Sequence, residues 1–417
     1  MPPEILTWVI AATATAAVIL RPFSWPEAIW AISGSVLLVA LHLLSPQGAL
    51  TGVAKGLDVY LFLTGMMLLS EVAREEGLFD WLAAHAARRA ASSATRLFLL
   101  VYGIGTIVTI FLSNDATAVV LTPAVAAAMR TAKIEKPLPY LLICAFIANA
   151  ASFVLPISNP ANLVIYGSQM PPLLEWLPRY GLASVASIVA TFLMLRWTQR
   201  RELSQAVAID VPVPVLSRSG KTAAAGIAVT AIVLLICSAL DTRLGLPTVI
   251  AGAATALGVL ALERKAPWKT LRGISWGVLP LVAGLFALVE ALDRTGVIQI
   301  VATLLQQEAG RSASGSAWSA GVVIALASNL MNNLPAGLIA GGAVQAADVP
   351  DQVTRAILIG VDLGPNLSVT GSLATILWLA ALRREGHSVG AWAFLKLGLL
   401  VMPPALVLSL AAAFLFG

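Results

Sequence analysis

The chain has 417 residues, of which 59% are apolar and 11% charged. Soluble domains carry about 25% charged residues, so an ordinary soluble protein, a disordered chain and a nucleic-acid-binding protein are all excluded. The formal net charge is +5, and two cysteines, Cys144 and Cys237, lie in separate apolar runs, too few and too far apart for a disulfide framework.

Apolar residues run from Ile5 to Leu20 with no basic residue ahead of them. A second apolar run follows at once, so the first reads as a membrane span and not a signal peptide. A span needs about 20 apolar residues. Ten runs qualify: 5–20, 26–44, 54–74, 138–168, 178–197, 222–240, 246–262, 275–292, 352–383 and 389–416. Two more, 96–131 and 314–347, are interrupted at their middles by Ser113-Asn114-Asp115 and by Ser328-Asn329 with Asn332-Asn333. Limbs of 14 to 18 residues are short for crossing, so each reads as a re-entrant hairpin. Segments 77–91 and 296–309 read as amphipathic helices at the interface.

An N-terminus outside leaves only Lys55, Arg179, Arg243, Arg294, Arg311 and Arg355 of the 26 lysines and arginines on the outer side. The opposite orientation violates the positive-inside bias. Both termini are therefore expected outside and the 198–221 linker in the cytoplasm.

The halves resemble each other. Leu63-Thr64-Gly65, Glu71 and Gly77 match Val282-Ala283-Gly284, Glu290 and Gly296 at an offset of 219. Ser113-Asn114 matches Ser328-Asn329 at 215, and Ser158-Asn159-Pro160-Ala161 matches Thr370-Gly371-Ser372-Leu373 at 212. With hairpins entering from opposite sides, the repeats are inverted, which is a transporter signature. The expected fold is an all-α polytopic membrane protein of two inverted-topology repeats, with about ten transmembrane helices and two re-entrant hairpins. Its expected divisions are N-terminal helices 1–53, a first repeat 54–197, the linker 198–221, connecting helices 222–274 and a second repeat 275–417.

Four interrupted elements hold most of the deep polar residues: 111–117, 156–162, 328–335 and 362–372. Prolines and glycines break the helices there. Freed backbone survives in lipid only inside protein or a wet cavity. Half-helix ends with Asn, Ser and Thr then supply partial charges and neutral donors and acceptors, suited to a small, polyhydroxylated, weakly charged solute. The expected binding residues are Asn114, Asp115, Ser158, Asn159, Asn162, Asn329, Asn332, Asn333, Thr370 and Ser372. Asp115 and Asp362 are the deepest carboxylates. Desolvation raises a carboxylate pKa, which makes both candidates for proton coupling; the competing reading is that each caps a helix break. Glu71 and Glu290 read as interfacial charge pairs with Arg74 and Arg294. His42, His85 and His387 lack metal-ligand spacing, and no phosphate-binding glycine loop occurs. No cofactor and no enzymatic constellation is expected.

These segments resemble the ion transporter superfamily, and within it the arsenite permeases of the ArsB type. The resemblance rests on Phe111-Leu-Ser-Asn-Asp-Ala-Thr-Ala-Val-Val-Leu-Thr-Pro123, Ser158-Asn-Pro-Ala-Asn162, Ser328-Asn-Leu-Met-Asn-Asn-Leu-Pro335, and Gly360-Val-Asp-Leu-Gly-Pro-Asn366 running into Gly371-Ser-Leu-Ala-Thr-Ile-Leu-Trp378. It implies efflux of arsenite and antimonite across a bacterial inner membrane, driven by inward proton movement. It also implies a cytoplasmic arsenite-stimulated ATPase as an optional partner, and dimers among relatives. The family's hairpin and break residues correspond to Asn114, Asp115, Asn159, Asn162, Asn329, Asn332, Asn333 and Asp362. Some relatives carry Cys where this chain has Val361, so a thiol there is no part of its mechanism. The alternative within the superfamily is a sodium/proton antiporter or a carboxylate transporter.

Overall fold

The computed structural model describes residues 2–204 and 211–415; residues 205–210 of the expected linker lie outside the described residues. Helix α1 (Pro3–Leu20) opens on proline, whose missing amide costs nothing at a first turn. After α2 (Glu27–Ala40), Ser45 Oγ accepts from Gly48 N at 3.0 Å and starts α3 (Pro46–Lys55), which meets α4 (Leu57–Glu75) at 50°. Gly77, at φ 72°, turns the chain into α5 (Leu78–Arg89). The first hairpin comprises α6 (Ala94–Phe111), α7 (Asn114–Ala116), a π-helical turn over Thr117–Leu121 and α8 (Thr122–Thr131). A broken helix follows as α9 (Leu138–Ala150) and α10 (Pro160–Tyr166), then α11 (Leu173–Gln199).

The second half runs through α12 (Arg218–Ala239), α13 (Gly245–Glu263), α14 (Trp268–Gly273), α15 (Val278–Arg294) and α16 (Val297–Arg311). It continues as α17 (Ala313–Met331), α18 (Asn333–Ala346), α19 (Asp351–Leu363), α20 (Leu373–Arg384) and α21 (Ala391–Phe414). This is the order of α1 to α11, with α18 alone where α7, the π-helical turn and α8 stand in the first half. Gly296, before α16, has φ 84° where Gly77 precedes α5. Helices α9 and α19 each have 13 residues and each follows a proline.

All regular structure among the described residues is helical. Of the ten expected spans, α1, α11, α12, α13 and α21 are individually long and apolar enough to cross a bilayer, and α4 is so together with α3. Helices α2 and α15 have 14 and 17 residues, and the other two spans are the broken helices. At 18 residues α6 also reaches spanning length, so the hairpin limbs are not uniformly short. Both hairpins nevertheless return to the end they left. Tyr140 Oη donates to the Ala94 carbonyl at 3.3 Å, which sets the start of α9 beside the start of α6. Helices α17 and α19 run side by side in parallel, with Gly321 opposite Gly360 and Ala325 opposite Gly364.

Small residues allow the closest packing, as in lipid, where helices gain from backbone approach. Gly65 of α4 lies against Thr248 and Gly252 of α13, and Gly284 of α15 lies against Ala31 of α2. Ser35 Oγ donates to the Gly284 carbonyl at 2.9 Å. The outer faces carry exposed Val36, Val229, Ile232 and Leu257, an apolar girdle for lipid.

Candidate functional site

Each of the four helix breaks is closed by a side-chain cap. Ser113 Oγ accepts from Ala116 N, Asn159 Oδ1 from Ala161 N, Asn332 Oδ1 from Leu334 N, and Ser372 Oγ from Thr375 N. Four helix N-termini thus begin at the breaks, each bringing partial positive charge. Ser113 (φ 148°) and Asn332 (φ 72°) occupy left-handed backbone at the two hairpin tips. These tip caps lie 219 residues apart, the offset of Gly77 and Gly296. The cap of the second tip is thus Asn332, one turn beyond the Ser328-Asn329 that shares letters with Ser113-Asn114.

Hydrogen bonds join the breaks. Ser158 Oγ donates to the Ile110 carbonyl at 2.9 Å, holding the first hairpin to its broken helix. At the second hairpin, Asn329 Nδ2 donates to the Gly364 carbonyl at 3.0 Å, and Asn329 Oδ1 accepts from Ser368 Oγ at 2.7 Å. Asn332 Nδ2 donates to the Thr370 carbonyl, Thr370 Oγ1 to the Asn329 carbonyl, and Asn333 N to the Gly371 carbonyl at 2.8 Å. The broken helices cross each other twice. Asn159 Nδ2 donates to Asp362 Oδ1 at 2.7 Å, and Ser372 Oγ donates to Asn149 Oδ1 at 3.1 Å. Asn162 Nδ2 serves the carbonyls of Ser152, Leu155 and Pro156, which the break left without helical partners.

Most of the expected binding residues therefore spend their polar atoms on protein. Two tip residues differ. Asn114 offers Oδ1 to the adjacent Asp115 N at 2.9 Å, and its amide Nδ2 donates to nothing among the described residues. The buried side chain of Asn333 makes no hydrogen bond among the described residues. The Asp115 carboxylate caps nothing; the cap is Ser113. Half-buried, Asp115 lines a pocket of ≈ 540 Å³ with Ser70, Glu71, Ser113 and Ser275. A larger pocket of ≈ 1600 Å³ opens between α3, α15 and α18, lined by Lys55, Asp58, Glu290, Asp293, Leu338 and Gln345. Asp362 is fully buried; its Oδ2 makes no hydrogen bond among the described residues.

Glu71 takes Arg74 Nε at 2.8 Å; Glu290 takes Arg294 Nε at 3.0 Å and Lys55 Nζ at 2.7 Å. The π turn beside Asp115 holds a hydroxyl pair, Thr109 and Thr117, at 2.8 Å. Such π turns inside helices frequently lie at functional sites. Sequence reasoning missed Asn149 and Thr375, and it placed Asn366 in a broken element without giving it a role. Asn149 Nδ2 donates to Asn366 Oδ1 at 3.0 Å and to Thr375 Oγ1 at 3.2 Å. The signal available was a lone Asn between Ala148 and Ala150, 213 residues before Asp362.

This geometry, two hairpin tips against two crossing broken helices, accompanies a match to a known family over residues 6–361. The chain belongs to the citrate transporter (CitMHS) family. The arsenical pump membrane proteins of Yersinia enterocolitica and Escherichia coli K12 are each 27% identical to it, over 360 and 375 residues, covering 83% of this chain and 83% of theirs. An uncharacterized transporter of Mycobacterium tuberculosis is 25% identical over 409 residues, 93% of this chain and 92% of that protein. Two solved transporters share the fold. YdaH of Alcanivorax borkumensis has a TM-score of 0.57 at 15% identity, covering 100% of this chain and 98% of its own. MtrF of Neisseria gonorrhoeae has a TM-score of 0.54 at 13% identity, covering 99% and 94%. This member of the citrate transporter family is a multi-pass membrane transporter.

Proposed function

We propose that the protein exports arsenite and antimonite across the bacterial inner membrane in exchange for inward-moving protons. The observation that carries this reading is the pair of uncommitted tip amides, Asn114 and Asn333, in a site without a cation. Segments 109–117, 149–162, 328–335 and 362–375 contain no Lys or Arg. A multivalent carboxylate is ordinarily held by guanidinium or ammonium groups. Arsenous acid is a neutral trihydroxide near pH 7, and its hydroxyls suit amide donors and acceptors. The arsenical-pump relatives support the same substrate.

In this reading Asp115, next to Asn114 and open to a pocket, exchanges the proton, with Asp362 as a second acid. The remaining expected residues, Ser158, Asn159, Asn162, Asn329, Asn332, Thr370 and Ser372, shape the site by holding the breaks. The termini lie outside, as the basic residues require. The two halves act as inverted repeats. Their matching element order supports this, and it extends the repeats to include 1–53 and 222–274. The proposal includes a cytoplasmic arsenite-stimulated ATPase as an optional partner and a homodimer in the membrane.

Arsenite uptake into inside-out vesicles with an acidic interior tests it. The native chain takes up arsenite only with the gradient, and Asp115→Asn and Asn114→Ala each lose about tenfold or more. The family's name and four positive helix ends favour one rival, sodium-coupled carboxylate transport. Sodium-driven citrate uptake with no arsenite uptake would replace the proposal with that rival.

A further inference from the structure

Asn149 and Asp362 hold the same place in the two halves. Each is the penultimate residue of a 13-residue helix that follows a proline, and they are 213 residues apart. Their partners are related by the same number, one residue beyond the offset of 212 at which the letters of the two breaks match: Asn159 caps α10 and Ser372 caps α20. So are Asn162 and Thr375. The contacts run crosswise, Asp362 of the second half to Asn159 of the first, and Asn149 of the first half to Ser372 of the second. Reciprocal contacts of this kind are the signature of a two-fold relation.

The chemistry at the two crossings differs. Asn149 is satisfied as a neutral amide, giving its hydrogens to Asn366 and Thr375 and taking one from Ser372. No protonation change can alter those bonds. Asp362 accepts one bond through Oδ1 and leaves buried Oδ2 without a hydrogen bond; the Ser152 hydroxyl beside it donates instead to the Asn149 carbonyl at 2.7 Å. A bond from an amide to a carboxylate is about twice as strong as one between neutral groups. A proton bound at Oδ2 neutralises the group, and the Asn159 contact then weakens to an ordinary one. Helices α17 and α18 contain no Asp, Glu, Lys, Arg or His; α9 and α10 offer only Tyr140, Cys144 and Tyr166; α21 offers only Lys396; α11 has Tyr180, Arg196, and Glu175 with Arg179, which pairs with Asp351; and α19 has Asp351 and Arg355 at its far end. Arg355 is turned to Asp351 and to the Ala413 carbonyl.

We propose that the two crossings are joints between the halves, one fixed and one released by protonation, and that Asn149 is the positioning residue that keeps the fixed joint neutral. Proton responsiveness is thereby confined to one of two equivalent places. This rests on the proton-coupled reading above, yet its test needs no arsenite.

The experiment is the thermal stability of the purified, ligand-free protein in detergent, scanned over pH, for the native chain, Asp362→Asn and the exchange variant Asn149→Asp/Asp362→Asn. The native profile shows a step, Asp362→Asn loses it, and the exchange variant regains it. In the native background Asn159→Ala moves the midpoint of the step, whereas Ser372→Ala lowers stability evenly at every pH. A merely structural Asp362 would not yield a midpoint that follows its partner. An unchanged step in Asp362→Asn overturns the proposal. So does a midpoint that shifts equally in Asn159→Ala and Ser372→Ala, which decides the matter if the exchange variant does not purify. Failed arsenite transport with these stability results intact would count against the substrate and leave the joint standing.

Discussion

At its tip the first hairpin is held to its broken helix by Ser158, which donates to the Ile110 carbonyl, while Tyr140 meets the Ala94 carbonyl only at the far end. The second tip is stitched to its own by Asn329, Asn332, Ser368, Thr370 and the amide of Asn333. The helices behind the tips differ in the same sense. Gly105 of α6 meets α9 through the Ile147 side chain, while Gly360 of α19 meets the backbone of α17 at Gly321. A contact through side chains can yield by rotamer change, and one through backbone cannot. The second tip is therefore a firm anchor, and the first is a looser one that faces a pocket.

The largest test of that contrast replaces the glycines. Gly360→Ala drives a methyl into the Gly321 carbonyl and should destabilise by about 1–3 kcal/mol or more. Gly105→Ala needs only a shift of Ile147 and should cost less than about 1 kcal/mol. Thermal melts of the two variants in detergent compare them directly, and equal losses would erase the difference between halves. Next come the tip amides. Asn329→Ala strips the Gly364 carbonyl and Ser368 of a partner and should cost about 1–3 kcal/mol of stability. Asn114→Ala removes only a local bond, so its melt should stay close to native while transport falls. Thr117→Val, which cuts the hydroxyl pair with Thr109, should cost about 1 kcal/mol in a thermal melt, less than Asn329→Ala.

The breaks themselves are legible in the sequence, because Asn-Pro, Gly-Pro and Gly-Ser inside apolar runs leave a helix few alternatives. Membership of a transporter superfamily is legible for the same reason. Register was less so. Ser113-Asn114 and Ser328-Asn329 share letters, but a cap is defined by backbone angle, and that angle falls at Asn332. Nor does residue type reveal commitment. Asn162 and Asn333 read alike as deep amides, yet one serves three carbonyls and the other none. Asn149 stayed hidden because one amide in an otherwise apolar run resembles ordinary span sequence until its partner 223 residues away is seen.

Helix α4 packs on α13, and α15 packs on α2, so the small-residue face of each half lies on the other half. Biosynthesis inherits that arrangement. While the ribosome is still on the first half, the face of α4 around Gly65 has only lipid or insertion machinery to meet, and the chain must wait for α13 to complete it. Severed at the linker, the two halves expressed together should assemble, and either alone should be cleared by membrane proteases.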